Sequence, residues 1–162
     1  WTRDNSNIFT IPEFIELGFN YKMSDIAAAL GIAQLRKNDK IIHRKNELAR
    51  IWLKNLESVD GIILPEISGK SRHAFQSFVI NLESNFDRNY VIQKLKDEGI
   101  QAQIGYYSSY VQPVYKSEHK CPISLNLFRQ SIALPMYYEL KKEEIEYVCF
   151  KLRSIIGESY GK

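Results

Sequence analysis

From Ser24 onward the apolar positions recur at helical spacing, first Ile26, Leu30 and Ala33, then Ile42, Ala49, Trp52 and Leu56. The Ser24 hydroxyl can cap a helix start, while Gly31 and the polar Asn38-Asp39 pair weaken the middle of the run. The pattern predicts two consecutive helical segments, 24–36 and 38–57. Gly61 and Pro65 break it, and Ser68, Gly69 and Ser71 mark a surface loop. Phe78, Ile80 and Leu82 then alternate with Val79 and Asn81, which is the period of a strand. Asp87 can cap the next helix, Phe86 and Val91 can staple its start, and Gly99 stands where a left-handed C-terminal residue belongs. That predicts a helix over 88–98 with Val91, Ile92 and Leu95 inward, then a short strand at 100–104.

The stretch from Gly105 to Gln112 is crowded with Tyr and Ser, a composition suited to a binding loop. Pro122 can open a helix near 123–131, a short strand at 132–134 follows, and Pro135 stops it. Ile145, Val148, Leu152 and Ile155 form one face of a terminal helix. The order of two helices, strand, helix, strand, helix, strand, helix predicts an α/β fold, a small sheet covered mainly on one face by helices. Residues 1–23 read as an extended arm and turn, and 24–162 as the packed domain. Trp52, Phe75, Phe78 and Phe128 are the expected aromatic core.

Composition narrows the function classes. At 162 residues and 44% hydrophobic content the chain can bury a core without a disulfide or metal. Its net charge of +3 is the small remainder of 22 basic and 19 acidic residues, weak grounds for a nucleic-acid partner. The basic positions Arg36, Lys37, Lys40, Arg44, Lys45 and Arg50 are interrupted by Asp39 and Glu47, as on a solvated helix face. No apolar run approaches the ~20 residues of a membrane span, and the start lacks a signal-peptide pattern, so the expected location is the cytoplasm. Cys121 and Cys149 lie far apart, and with His43, His73 and His119 they make no metal-binding spacing. The chain begins at Trp1 with Met23 its first methionine, which reads as a piece of a longer protein.

Residues 18–35, GFNYKMSDIAAALGIAQL, resemble the loop and following helix of the DegT/DnrJ/StrS family of sugar aminotransferases. Four further blocks follow in the same order. Arg72 to Ile80 resembles that family's His-rich strand, Gly99 to Tyr115 its "G-I-x-T-x-I-G…Q-P-x-Y" stretch, Ala133-Leu134-Pro135-Met136 its "S-L-P-M" strand end, and Leu140 to Leu152 its C-terminal helix. The resemblance implies the C-terminal small domain of a fold-type I pyridoxal-phosphate enzyme. In that family the Schiff-base lysine and most phosphate contacts precede the block at Gly18, so the chain alone is expected to be inactive.

The resemblance also implies site residues. Asn20 stands where the family's Asn reaches the cofactor phosphate of the neighbouring subunit, and an amide NH₂ suits that contact. An Asn in a tight turn that tolerates positive φ is the plainer reading. Lys22, where the family often has Arg, could add positive charge. Tyr106, Tyr107 and Tyr110 lie in the loop that resembles the one beside the sugar nucleotide, and a phenol offers a flat apolar face with a hydroxyl at its tip. Tyr110 replaces a His of the related pattern, and Gln76 stands where the strand often has His. The expected whole is a homodimeric, pyridoxal-phosphate-dependent transaminase acting on a keto-sugar nucleotide with glutamate as amino donor. The competing classes are a non-catalytic regulatory or assembly module of this family and a nucleic-acid-binding domain.

Overall fold

The computed structural model describes residues 22–115 and 118–160, together with Ile11, Glu13, Ile15, Glu16 and Gly18. Most of the expected N-terminal arm, Asn20 included, lies outside the described residues. The chain order is α1 (Asp25–Leu35), α2 (Asn38–Leu56), β1 (Ile62–Ile63), β2 (Phe78–Leu82), α3 (Arg88–Asp97), β3 (Gln103–Ile104), α4 (Pro122–Gln130), β4 (Ser131–Leu134) and α5 (Lys142–Tyr160). Two single 3₁₀ turns, Ser109–Val111 and Pro113–Tyr115, sit between β3 and α4.

The strands form one sheet in the order β1-β2-β4-β3, every neighbouring pair antiparallel. Along β2, Phe78, Ile80 and Leu82 share one face, since successive side chains alternate. They join Ile132, Leu134 and Ile104 in a single core with Leu48, Trp52 and Leu56 of α2, Val91, Ile92 and Leu95 of α3, and Ile145, Leu152 and Ile156 of α5. The fold is therefore α/β with a small sheet backed by helices, as the order of elements implies. Trp52 stacks on Phe78 at 5.6 Å between ring centroids, and Phe75 on Phe78 at 6.2 Å.

Local chemistry accounts for the helix ends. Ser24 Oγ accepts from Ala27 N at 3.3 Å, and Asp87 Oδ1 accepts from Asn89 N and Tyr90 N at 2.9 and 3.3 Å. Gly99 has φ 74°. At that glycine the Ile100 amide turns back to the Leu95 carbonyl and the Gly99 amide to Lys96, a paired C-terminal closure. This explains a difference from the expected strand at 100–104: the Ile100 amide is committed to the helix end, and pairing begins only at Gln103.

Two other differences stand out. β1 was not anticipated; its two residues become a strand only by pairing with Leu82 and Asn81 of β2. α1 forms where its cap predicts, yet none of its residues is buried. Ile26 is 85% exposed, Leu35 71% and Leu30 63%, so its apolar positions do not form a core-facing stripe in this chain.

Candidate functional site

The site is built where β3 ends and β4 begins. Ile104 pairs with Ile132, and the chain then passes Gly105 in close contact with the sheet: a Cβ there would lie 2.4 Å from Val79 Cγ1 and 2.8 Å from both Ser131 Cβ and Oγ. Only a glycine fits that approach. The Gly105 amide donates to the Ser131 carbonyl at 3.2 Å, and the Tyr106 amide to Ser131 Oγ at 2.9 Å. Tyr106 and Tyr107 are thereby held beside the start of α4. Together with Cys121, Pro122, Ile123, Ser124 and Leu127 they line an open, mainly apolar groove of about 570 Å³.

That size falls within the ~300–1,000 Å³ of small-molecule sites. Tyr106 and Tyr107 are half-exposed, so both rings offer a face. Behind them Tyr107 packs on Phe128 at 5.8 Å, and the Arg88 guanidinium lies 5.7 Å from the Phe128 ring on another side. Burial raises the Tyr107 phenol above its ordinary pKa, and the nearby Arg88 charge works against that rise. Burial lowers the Arg88 pKa, with Tyr107 and Asp87 opposing. The loop floor is tied by Ser124 Oγ donating to the buried Ser108 Oγ at 2.9 Å.

Of the residues singled out from the sequence, Tyr106 and Tyr107 come together in this groove. Tyr110 is half-buried in the Ser109–Val111 turn and is not a lining residue. Gln76 precedes β2, whose first residue Phe78 pairs with Leu134. That is the opposite end of the sheet from Ser131 and the tyrosines. Gln76 is exposed there, and its carbonyl accepts from Lys45 Nζ at 3.3 Å. Lys22 is exposed just ahead of α1. Sequence reasoning missed Arg88, Gly105 and Ser131. A basic residue opening a helix, against the dipole, was the available signal for Arg88.

The DegT/DnrJ/EryC1/StrS aminotransferase family matches residues 3–153. The chain belongs to this family. GDP-perosamine synthase of Escherichia coli O157:H7 is 31% identical over 88% of this chain, which spans 39% of that relative. UDP-4-amino-4,6-dideoxy-N-acetyl-beta-L-altrosamine transaminase of Campylobacter jejuni is 28% identical over 89% of the chain, which spans 40% of it. Among solved structures, the Helicobacter pylori aminotransferase PseC, involved in the biosynthesis of pseudoaminic acid, superimposes with TM-score 0.77 at 17% identity. The superposition covers 95% of this chain and 44% of that one, a likeness of fold. The five blocks quoted above thus belong to a DegT/DnrJ/EryC1/StrS chain, and the chain spans about two-fifths of the length of the curated relatives it matches.

A second groove of about 650 Å³ lies at the other end of the sheet, lined in part by Ile100, Met136, Leu140, Tyr137, Glu144 and Tyr147. Its polar side chains serve the fold. Tyr137 Oη donates to Glu144 Oε1 at 3.3 Å, Glu144 Oε2 accepts from Lys141 N at 2.7 Å, and Tyr147 Oη donates to the Glu98 carbonyl at 3.4 Å. The tyrosine groove at Ser131 is therefore the better candidate in this family member.

Proposed function

We propose that this chain is the C-terminal small domain, residues 24–162 with an arm at 1–23, of a homodimeric, pyridoxal-phosphate-dependent transaminase acting on a keto-sugar nucleotide in the cytoplasm. The observation that carries the reading is the Tyr106-Tyr107 groove, which lies within the segment that resembles the family's sugar-nucleotide loop. Phenol rings there would stack on a sugar or base, and their hydroxyls would hydrogen-bond to it. Tyr110 is proposed as a neighbour of that loop and Gln76 as a residue at the far edge of the domain. Glutamate is the proposed amino donor.

The described residues suit only one corner of a pyridoxal-phosphate site. Every described lysine is exposed or half-buried. Burial lowers the pKa of Lys45, but its amine is committed to the Gln76 carbonyl. None sits in a cradle that would hold a carbonyl cofactor, so we place the Schiff-base lysine in the part of the protein beyond this chain. What this chain offers is the start of α1, where free backbone N–H groups favour an anion, with Lys22 exposed ahead of it. Asn20, outside the described residues, would donate its amide to the phosphate of the neighbouring subunit. When bound, the cofactor supplies the electron sink that lets the amine-bearing carbon lose its proton. The chain's own part is to hold the sugar at Tyr106 and Tyr107 and to close that side of the cleft.

α1 is in keeping with a larger whole. A helix apolar on all sides is normally buried, whereas Ile26, Leu30 and Leu35 are exposed in this chain. The test is spectroscopic. The 162-residue chain mixed with pyridoxal phosphate should leave the spectrum of the free cofactor unchanged, while the complete protein should shift it and retain a borohydride-stable label on one lysine. A stoichiometric label on one lysine of the isolated chain would overturn the division of labour.

A further inference from the structure

Arg88 is the only charged side chain in the buried set among the described residues, 4% exposed. It opens α3, where the helix dipole disfavours a cation. No carboxylate lies within ion-pair distance of it among the described residues. Its Nε donates to the adjacent Asn89 Oδ1 at 2.8 Å, and its Nη1 makes a long contact, 3.5 Å, with the Ser131 carbonyl. A guanidinium held this way detracts from stability, since a buried charge needs close partners to offset its lost hydration.

Its contacts lead to one place. Ser131 carries both backbone ties of the tyrosine loop, from Gly105 N to its carbonyl and from Tyr106 N to its hydroxyl. Phe128, whose ring faces the guanidinium, is the surface on which Tyr107 packs. One side chain therefore braces the supports of both groove tyrosines from behind, without lining the groove.

We infer that Arg88 is a positioning residue for the substrate groove, fixing Ser131 and Phe128 and through them the Tyr106 backbone and the Tyr107 ring. This rests on the reading of that groove as the sugar-nucleotide site. The substitution Arg88→Met keeps the length of the stem and removes the charge and its donors. In the complete protein it should leave the melting temperature level or higher, because an unpaired buried charge is replaced by an apolar chain. It should speed hydrogen exchange at the Tyr106 amide by about tenfold or more, while core amides such as Ile80 and Leu152 stay protected.

Ligand binding supplies the second readout, with UDP-N-acetylglucosamine, dTDP-glucose and GDP-mannose as probes in calorimetry. For whichever probe binds, Arg88→Met should weaken binding about tenfold and Arg88→Lys by less. Equal Tyr106 exchange in Arg88→Met and parent overturns the proposal. Should Arg88→Met fail to fold, Arg88→Lys decides: faster Tyr106 exchange supports the proposal, unchanged exchange overturns it. The groove reading is judged separately by Tyr107→Ala and Tyr106→Ala. If both bind every probe as the parent does, that reading fails, while Tyr106 exchange still decides whether Arg88 holds the loop.

Discussion

Replacing Gly105 with Ala introduces a methyl where the sheet has no room for one. The added carbon would meet Val79 Cγ1 at 2.4 Å and Ser131 Cβ and Oγ at 2.8 Å, against ordinary carbon contacts of about 3.5–4.0 Å. Neither neighbour can yield easily. Val79 is buried in β2, whose backbone is paired on both sides, and Ser131 is fully buried and holds the Tyr106 amide. Overpacking of this kind costs about 1–3 kcal/mol, and losing the Tyr106–Ser131 hydrogen bond adds about 0.5–1.5 kcal/mol. The expected loss is about 2–4 kcal/mol, which for a chain of this size lowers the melting temperature by about 5–15 °C. Circular dichroism melts of the 162-residue chain read this directly. Gly31→Ala is the control, because that position is inside α1 with nothing within 4 Å of the added carbon, and its melt should match the parent's. A Gly105→Ala melt within a degree or two of the parent, with the Tyr106 amide equally protected, would refute the close-approach argument.

Tyr106→Phe in the complete protein should raise KM or lower kcat/KM for the sugar nucleotide with an unchanged melting temperature, and Tyr110→Phe should have the smaller effect because Tyr110 does not line the groove. Kinetic silence of both would remove the hydroxyl contacts and leave ring stacking to be probed by the Ala variants. Asn20→Ala should weaken cofactor retention roughly ten- to hundredfold, the ~1.5–3 kcal/mol of one hydrogen bond to a charged group, and equal retention by equilibrium dialysis would exclude Asn20 from the site. Burial pushes the Cys149 thiol up to about 12, so its stabilising contribution is whole below the ordinary thiol pKa and is lost as the pH rises from there toward 12. Cys149→Ala should accordingly flatten the decline of melting temperature above about pH 9, and an unaltered decline would contradict the burial.

The helices were legible because their ends are written in single residues: Ser24 and Asp87 cap with their side chains, and Gly99 takes the positive φ that closes α3. The core was legible for the same local reason, since Trp52, Phe78, Val91 and Leu152 fall on the expected faces. What escaped depends on partners distant in sequence. β1 exists only against Leu82 and Asn81, and the burial of α1 cannot be judged from its own residues. Arg88 reads as an ordinary surface cation until Phe128 and Ser131, some 40 positions later, are folded over it. Gly105 likewise looks like any loop glycine until Val79 is set beside it.

The central claim is that this chain forms part of a transaminase for keto-sugar nucleotides, with the tyrosine groove on the sugar side. The most direct measurement incubates the complete protein with pyridoxal phosphate, glutamate and, in turn, UDP-, dTDP- and GDP-linked 4-keto-6-deoxy sugars, following 2-oxoglutarate release and the mass of the sugar nucleotide. The account predicts that with at least one of the three, 2-oxoglutarate and amino-sugar nucleotide form in equal amounts, and that Tyr106→Ala suppresses both. No amino sugar from any of them, by a protein that is folded and retains the cofactor, would contradict it.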